Sequence, residues 1–361
     1  MTEKELFDIK TDEPSALLYK KAKDRFDRLA KPIDGLGRFE DIICRIAAIQ
    51  EKDIPEISNK CLVIMCSDNG VVCEGVSQTD KSVTASVAAM MGKNMSTVGA
   101  MTSSYPIRII PVDIGIDSDV HIEGVLDRKI ARGTGNILKE PAMTRQMCLD
   151  AIQTGIDMAD SCRREGFDII ATGEMGIGNT TSSTALFCAL TGRNVVEAAG
   201  RGAGLSDDGL ARKIDVITAA LKHHGFDDCP DIPGDEYALS ALTAVGGLDI
   251  AGLAGVFIGG ALYHIPVVID GAISAVAALA AYYMVPGCEK YMIASHKGRE
   301  AYTTALDIMG LAPVIDADMA LGEGTGAVML FPMLDMIKSF FAHGTSFEET
   351  DIDGYMRFDK K

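Results

Sequence analysis

Short apolar runs alternate along this chain with longer segments in which apolar positions recur at helical spacing. Cys61-Leu62-Val63-Ile64-Met65-Cys66, Ile107-Arg108-Ile109-Ile110-Pro111-Val112, Phe167-Asp168-Ile169-Ile170-Ala171 and Pro266-Val267-Val268-Ile269 are of strand length, and each precedes a polar or glycine-containing turn. Near-continuous apolarity suits strands buried on both faces, and the helix-length segments between them give the rhythm of a parallel α/β sheet. The expected fold is a Rossmann-like parallel sheet covered by helices on both faces. Ligands in such folds bind beyond the carboxyl ends of the strands, and Asp68, Asp113, Glu174 and Asp270 fall at or just after four such ends. One acid there is ordinarily a helix cap; four on one rim point to a site.

The amphipathic segment 15–29 and an expected helix over 331–341 predict a smaller helical lobe. The chain therefore divides into a large α/β catalytic domain over 31–330 and a lobe drawn from 1–30 and 331–361, with a polar, loose tail from 344 onward. Residues 250–269 carry no formal charge and are long enough to span a bilayer. Their content argues for a different structure. Glycine and alanine dominate, His264 and Pro266 interrupt the helix, and 266–269 reads as a buried strand, so helix, short strand and a second helix over 273–283 are expected and no membrane span.

The run Gly173-Glu174-Met175-Gly176-Ile177-Gly178-Asn179-Thr180-Thr181 follows one of the strands and opens a helical segment. Three glycines in six positions let backbone amides approach an anion closely, and the helix adds its unpaired N–H groups and positive dipole end. Asn179, Thr180 or Thr181 is expected to cap that helix. No Gly-Lys-Ser/Thr ending is present and the glycine spacing does not fit the dinucleotide fingerprint, so neither a nucleoside triphosphate nor NAD is indicated. Gly200-Arg201-Gly202-Ala203-Gly204 and Leu321-Gly322-Glu323-Gly324-Thr325-Gly326 are two further glycine loops.

These loops, with Leu205-Ser206-Asp207-Asp208-Gly209-Leu210-Ala211-Arg212-Lys213, resemble the nicotinate-nucleotide:dimethylbenzimidazole phosphoribosyltransferase family, which activates the lower ligand of cobamides. The resemblance takes in Lys31-Pro32, Leu36-Gly37-Arg38, Asp68-Asn69-Gly70-Val71, Glu74-Gly75-Val76, Val112-Asp113-Ile114-Gly115, Glu140-Pro141-Ala142-Met143-Thr144-Arg145, Gly246-Gly247, Ile250-Ala251, Asp270-Gly271 and Ser295-His296, in family order from about residue 31 to 335. It implies a phosphoribosyl transfer from nicotinate mononucleotide to an aromatic base. Glu323 matches the family's general base. The base site is implied around Ser77, Gln78 and Leu321. Two positions depart from the pattern: Ser86-Val87 follows Val83-Thr84-Ala85 where members place Gln, and Asn69 stands where members often carry His. Related enzymes accept benzimidazoles, adenine or phenols, the last sometimes through paired non-identical subunits. A homodimer or a heterodimer with a paralogous subunit is thus implied.

The chemistry follows from the substrates. Nicotinate leaves as a neutralised pyridinium and needs little acid assistance, whereas attack by a benzimidazole nitrogen leaves a cation until its proton is removed, which calls for one carboxylate base. Glu323 lies between glycines that let its carboxylate approach a flat ring. Glu174 would repel phosphate, so it is expected to turn toward ribose hydroxyls or the positive ring. Phosphate falls to the amides of Gly176, Gly202 and Gly204, with Lys213 the nearest cation, though a surface helix lysine is equally open, and Ser295 a hydroxyl donor.

Composition narrows the partners. The chain has 361 residues, 47% hydrophobic, and a net charge of −17, which disfavours nucleic acid and anionic membranes. Nine Cys without a C-x-x-C pair suit reduced thiols of a cytoplasmic protein, and no metal-ligand spacing or cofactor motif appears, so no metal or cofactor is expected. The polar, acidic start Met1-Thr2-Glu3-Lys4-Glu5 does not read as a secretory signal. Two alternatives stay open: a non-catalytic partner subunit of a heteromeric transferase, or glycine loops that bind another phosphorylated metabolite.

Overall fold

The computed structural model describes residues 1–298 and 300–358. Six strands form one sheet: β1 (Lys60–Ser67), β2 (Ile107–Gly115), β3 (Leu126–Asp127), β4 (Ile169–Met175), β5 (Val267–Ile269) and β6 (Met292–Ala294). Their order is β3-β2-β1-β4-β5-β6 and every neighbouring pair is parallel. The side-chain period of two sends alternate residues of β1 to opposite faces. Cys61, Val63 and Met65 join the larger core, while Leu62, Ile64 and Cys66 join a second one. Both faces are covered, as the apolar runs predict.

The larger core owes its density to glycines. Helices Arg145–Arg164 and Leu248–Leu262 touch backbone to backbone: a Cβ on Gly155 would lie 1.9 Å from the Gly252 carbonyl oxygen. The uncharged segment is therefore helix Leu248–Leu262, then β5, then helix Ala272–Met284, all in the protein core.

Three expectations are corrected. β4 runs on through Gly173, Glu174 and Met175, because Gly173 and Glu174 keep pairing with Ile64 and Met65 of β1; the glycine turn starts only at Gly176. The late helix is Thr325–His343, starting well before 331, with Pro332 inside it, so the boundary at 330 falls within a helix. The tail is tied rather than loose as far as 358: Ala30 N–H donates to Thr345 at 2.9 Å and Arg357 holds Asp27 and Asp34 at 2.9–3.0 Å.

Helix Ala16–Arg28 packs Ala22 and Phe26 on Phe341 of the late helix and on Ile43, Cys44 and Ala47 of helix Arg38–Gln50. The lobe thus recruits residues 38–50 as well. Thr325–His343 is also long and apolar enough to cross a membrane, but Ala327, Val328, Leu330, Phe331 and Leu334 are buried against the sheet.

Candidate active site

Strand order reverses between β1 and β4, so the chain leaves their carboxyl ends in opposite directions and opens a crevice. Asp68 and Asn69 follow β1; Glu174 is the next-to-last residue of β4; Asp270 follows β5; Asp113 lies near the end of β2. Gly176 lets the chain cross this rim: a Cβ there would meet the Ser67 carbonyl oxygen at 2.4 Å and Asp249 Oδ2 at 2.9 Å. Gly178, at φ +93°, starts helix Asn179–Thr191, and no side chain caps it, contrary to expectation. Asn179 instead turns its amide outward from the helix start, donating to Glu174 and, at 3.0 Å, to Asp249 Oδ2.

The facing wall is the loop before the late helix. Gly322, Glu323 and Gly324 are all left-handed, at φ +88°, +58° and +79°. For Glu323 that conformation costs on the order of 1–2 kcal/mol, strain of the kind that persists at functional sites. The loop rests directly on β4: a Cβ on Gly173 would lie 2.8 Å from the Gly324 nitrogen, and one on Gly322 2.6 Å from Glu174 Oε1. The half-buried Glu323 carboxylate accepts from the Val98 N–H at 3.3 Å.

Between these walls lies a cavity of about 340 Å³. Eight of the residues singled out in the sequence line it: Glu323, Glu174, Gly176, Gly202, Lys213, Ser77, Gln78 and Leu321. Lys213 is fully buried, not a surface lysine, and its ammonium donates to Thr180 Oγ1 at 2.9 Å. Gly202 keeps the space above that pair clear, since a Cβ would lie 3.0 Å from Thr180 Oγ1 and 3.8 Å from Lys213 Nζ.

Two residues are not brought in. The Gly204 amide donates to Arg201 within its own turn at 3.1 Å and its carbonyl accepts from Gln78. Ser295 is fully buried and its hydroxyl donates to the Ile269 carbonyl at 2.6 Å, tying β6 to the end of β5. Gly176 lines the cavity with its Cα packed closely on the Ser67 carbonyl at the end of β1 and on Asp249.

Burial dominates the electrostatics. Glu174 keeps surface only toward the cavity, and loss of solvent pushes its carboxyl up to about 8 against the Asn179 hydrogen bond, with Asp249, Asp270 and Glu323 adding to the rise. Burial raises Asp249 to about 6, again opposed by Asn179. Asp270 is raised by burial against the pull of His296 and the Ala327 amide, and Asp68 by burial against the Asp117 amide. The rise favours the protonated form of Glu174 toward neutral pH.

Sequence reasoning passed over Asn179 as a ligand of acids, Asp249, Thr180, His296 and Arg201. His296 lies in the quoted Ser295-His296 pair and lines the cavity, as do Thr180 and Arg201; Arg201 sits in a quoted glycine loop and donates to Leu205 at 2.9 Å. Those signals were present. Asp249 carried none, because one acid in the first turn of an apolar helix reads as a dipole partner.

The phosphoribosyltransferase family DBI_PRT matches residues 11–352. A nicotinate-nucleotide:dimethylbenzimidazole phosphoribosyltransferase of Acetivibrio thermocellus is 41% identical over 343 residues, 94% of this chain and 96% of that protein. Its counterpart in Ruminiclostridium cellulolyticum is 40% identical over 336 residues, 93% of this chain and 94% of that protein. Among solved structures, CobT from Thermus thermophilus superposes with a TM-score of 0.84 at 32% identity, covering 92% of this chain and 98% of that one.

Proposed function

Since this chain belongs to the nicotinate-nucleotide:dimethylbenzimidazole phosphoribosyltransferase family, we propose that it moves the 5-phosphoribosyl group of nicotinate mononucleotide onto an aromatic lower-ligand base for cobamide assembly. The observation that carries this reading is the cavity itself, in which the strained Glu323 loop faces a buried lysine across the crevice of a parallel sheet.

The geometry supports the following division of roles. The 5-phosphate sits over Gly202, where the missing side chain leaves the buried Lys213 and Thr180 a path to it, and Arg201, itself paired with Asp207, adds a second cation. Glu174, uncharged when protonated, faces ribose without repelling the phosphate. The acceptor ring lies toward Ser77, Gln78, Met175 and Leu321, apolar surface next to a polar rim. Its nitrogen attacks the anomeric carbon as the bond to nicotinate breaks, and Glu323 takes the acceptor's proton. Inversion at that carbon gives an α-riboside phosphate. Dimethylbenzimidazole, another benzimidazole or a phenol fits the slot by the same argument.

We further propose a cytoplasmic homodimer with no membrane span. The nine cysteines are all unbridged, and Met95, Met329 and Met336 leave large apolar side chains exposed at 65%, 38% and 66% on segments flanking the Glu323 loop, the form an apolar subunit contact takes. Light scattering on the purified chain tests the assembly. The function is tested by incubating that chain alone with nicotinate mononucleotide and a panel of benzimidazoles, adenine and phenols, and identifying products by mass. A riboside phosphate plus nicotinate supports it; no product with any base, while a second subunit restores one, favours a partner-subunit role.

A further inference from the structure

Asn179 joins two carboxyl groups that have no other strong partner in common. Its side-chain nitrogen has two N–H bonds, one given to Glu174 Oε2 and one to Asp249 Oδ2 at 3.0 Å, and both neighbours are acid oxygens. That dictates which way the amide faces. Glu174 Oε2 is thereby taken, and Oε1 is left at the cavity wall beside Gly322. Asp249 does not line the cavity, yet it is completely buried and its Oδ1 has no hydrogen-bond partner among the described residues. The Ile250 and Asp249 amides of its own helix start do pull on this carboxylate, yet no hydrogen bond of good geometry reaches Oδ1, and a buried unpaired oxygen is costly. Oδ1 instead shares the space beside Gly247 with Asn69 Oδ1; a Cβ there would lie 2.6 and 2.9 Å from the two atoms. The helix end accounts for an acid here, but not for a buried oxygen left unbonded beside Asn69.

We infer that Asp249 is a positioning residue for the transfer: by holding the Asn179 amide from behind, it orients the Glu174 carboxyl toward the bound nucleotide. The inference rests on the proposed nucleotide site. Asp249→Ala releases Asn179 and lets Glu174 turn, so KM for nicotinate mononucleotide rises by about tenfold or more while KM for the aromatic base stays within about twofold. Asp249→Asn keeps an oxygen for Asn179 and offers its NH2 to Asn69, and brings the nucleotide KM back to within about threefold of the parent. In a Glu174→Ala background, adding Asp249→Ala changes that KM by less than about threefold, because the chain of contacts then ends on nothing. Loss of stability alone lowers the active fraction without this split. An unchanged nucleotide KM in folded Asp249→Ala, no recovery in Asp249→Asn, or losses that multiply in the double variant overturns the inference. Should Asp249→Ala fail to fold, Asn179→Ala cuts the same link from its other side and is read in the same way. A parent chain that neither binds nor converts nicotinate mononucleotide removes the functional reading and this inference together; an active parent with an indifferent Asp249→Ala removes the inference only.

Discussion

The acids around the cavity and the acids of the helical segments Ala16–Arg28 and Arg38–Gln50 with their flanking loop are treated in opposite ways. In the lobe, Glu40 is almost fully buried but accepts salt bridges from Lys23 at 2.8 Å and Lys31 at 2.7 Å, and Arg357 spans Asp27 and Asp34. Burial alone would raise the Glu40 carboxyl; the two ammonium groups and the Leu36 amide outweigh it and lower it. Asp34 is lowered by Arg357 first and Lys23 second. At the cavity, Glu174, Asp249 and Asp270 have no Lys or Arg at salt-bridge distance among the described residues, and all three are raised. Charges that hold a tail are compensated; the acids in and behind the cavity are left with their desolvation, which raises all three and carries Glu174 to about 8.

The comparison breaks most visibly at Glu323. Glu323→Gln keeps the shape of the loop and removes the proton acceptor, so turnover is expected to fall about a hundredfold to ten-thousandfold while nucleotide binding changes little. Single-turnover rates with titration of nicotinate mononucleotide check both halves. Turnover within a few-fold of the parent assigns the base elsewhere, Glu174 being next.

A second test sharpens the contrast through pH. A carboxyl raised in the folded state contributes stability that is fully present below its unfolded value and is lost as pH climbs to the folded one. For Glu174 that window runs from about 4.5 to about 8, and for Asp249 from about 3.8 to about 6. The parent should lose thermal stability across this range. Glu174→Gln should flatten the upper part, by an amount on the order of 1–2 kcal/mol once solvent access through the cavity mouth is allowed for. Melting curves from pH 5 to 8.5 decide it, and parallel slopes for parent and variant would show that Glu174 is ionised throughout.

The lobe gives the opposite slope. Asp34 is lowered on folding, so its contribution is present above the usual carboxylate range and lost as pH falls through and below it. Asp34→Asn should therefore reduce the acid-side loss of stability and leave the slope above pH 5 unchanged. An altered slope between pH 6 and 8 would mean the two clusters are coupled.

The smallest effect is expected for Arg357→Ala. Its side chain is 42% exposed, and pairs of that kind contribute roughly 0.2–1 kcal/mol each. A small drop in melting midpoint that disappears at high salt, with kinetic constants unchanged, is the predicted outcome; a change in KM for either substrate would tie the tail to the site.

One substitution that reads as a phosphate probe is not one. Gly176→Val places its branch against the Ser67 carbonyl at the β1 rim, so it is expected to disturb folding before it says anything about phosphate. Gly202→Ala, above Lys213 and Thr180, tests phosphate contact more directly, although its φ of +52° adds backbone strain.

Much of this molecule was legible as local pattern. The apolar runs at β1, β2 and β5 appear as strands, residues 15–29 as a helix, and the parallel sheet follows from their alternation with helices. The glycine loops and Glu323 stand out because their chemistry is written in consecutive residues. β4 was read too short because Gly-Glu is turn-like by itself, and only the ladder to Ile64 and Met65 holds it extended. β3 carries no signal because it is two residues long, and Met292-Ile293-Ala294 of β6 lacks the β-branched run that marks the equally short β5.

By itself, then, the chain determined where several of the strands and helices lie, that glycine turns follow strand ends, and which family its motifs resemble, since periodicity, turn chemistry and motif order are properties of neighbouring residues. Tertiary structure alone decided that Lys213 is buried beneath Gly202, that the Ser295 hydroxyl is spent on Ile269, and that Asn179 stands between Glu174 and Asp249, residues five and seventy positions away. Protonation belongs to the second group for the same reason: a carboxyl's charge depends on how much water the rest of the fold excludes and which donors it brings within reach, and neither quantity exists until distant segments have packed.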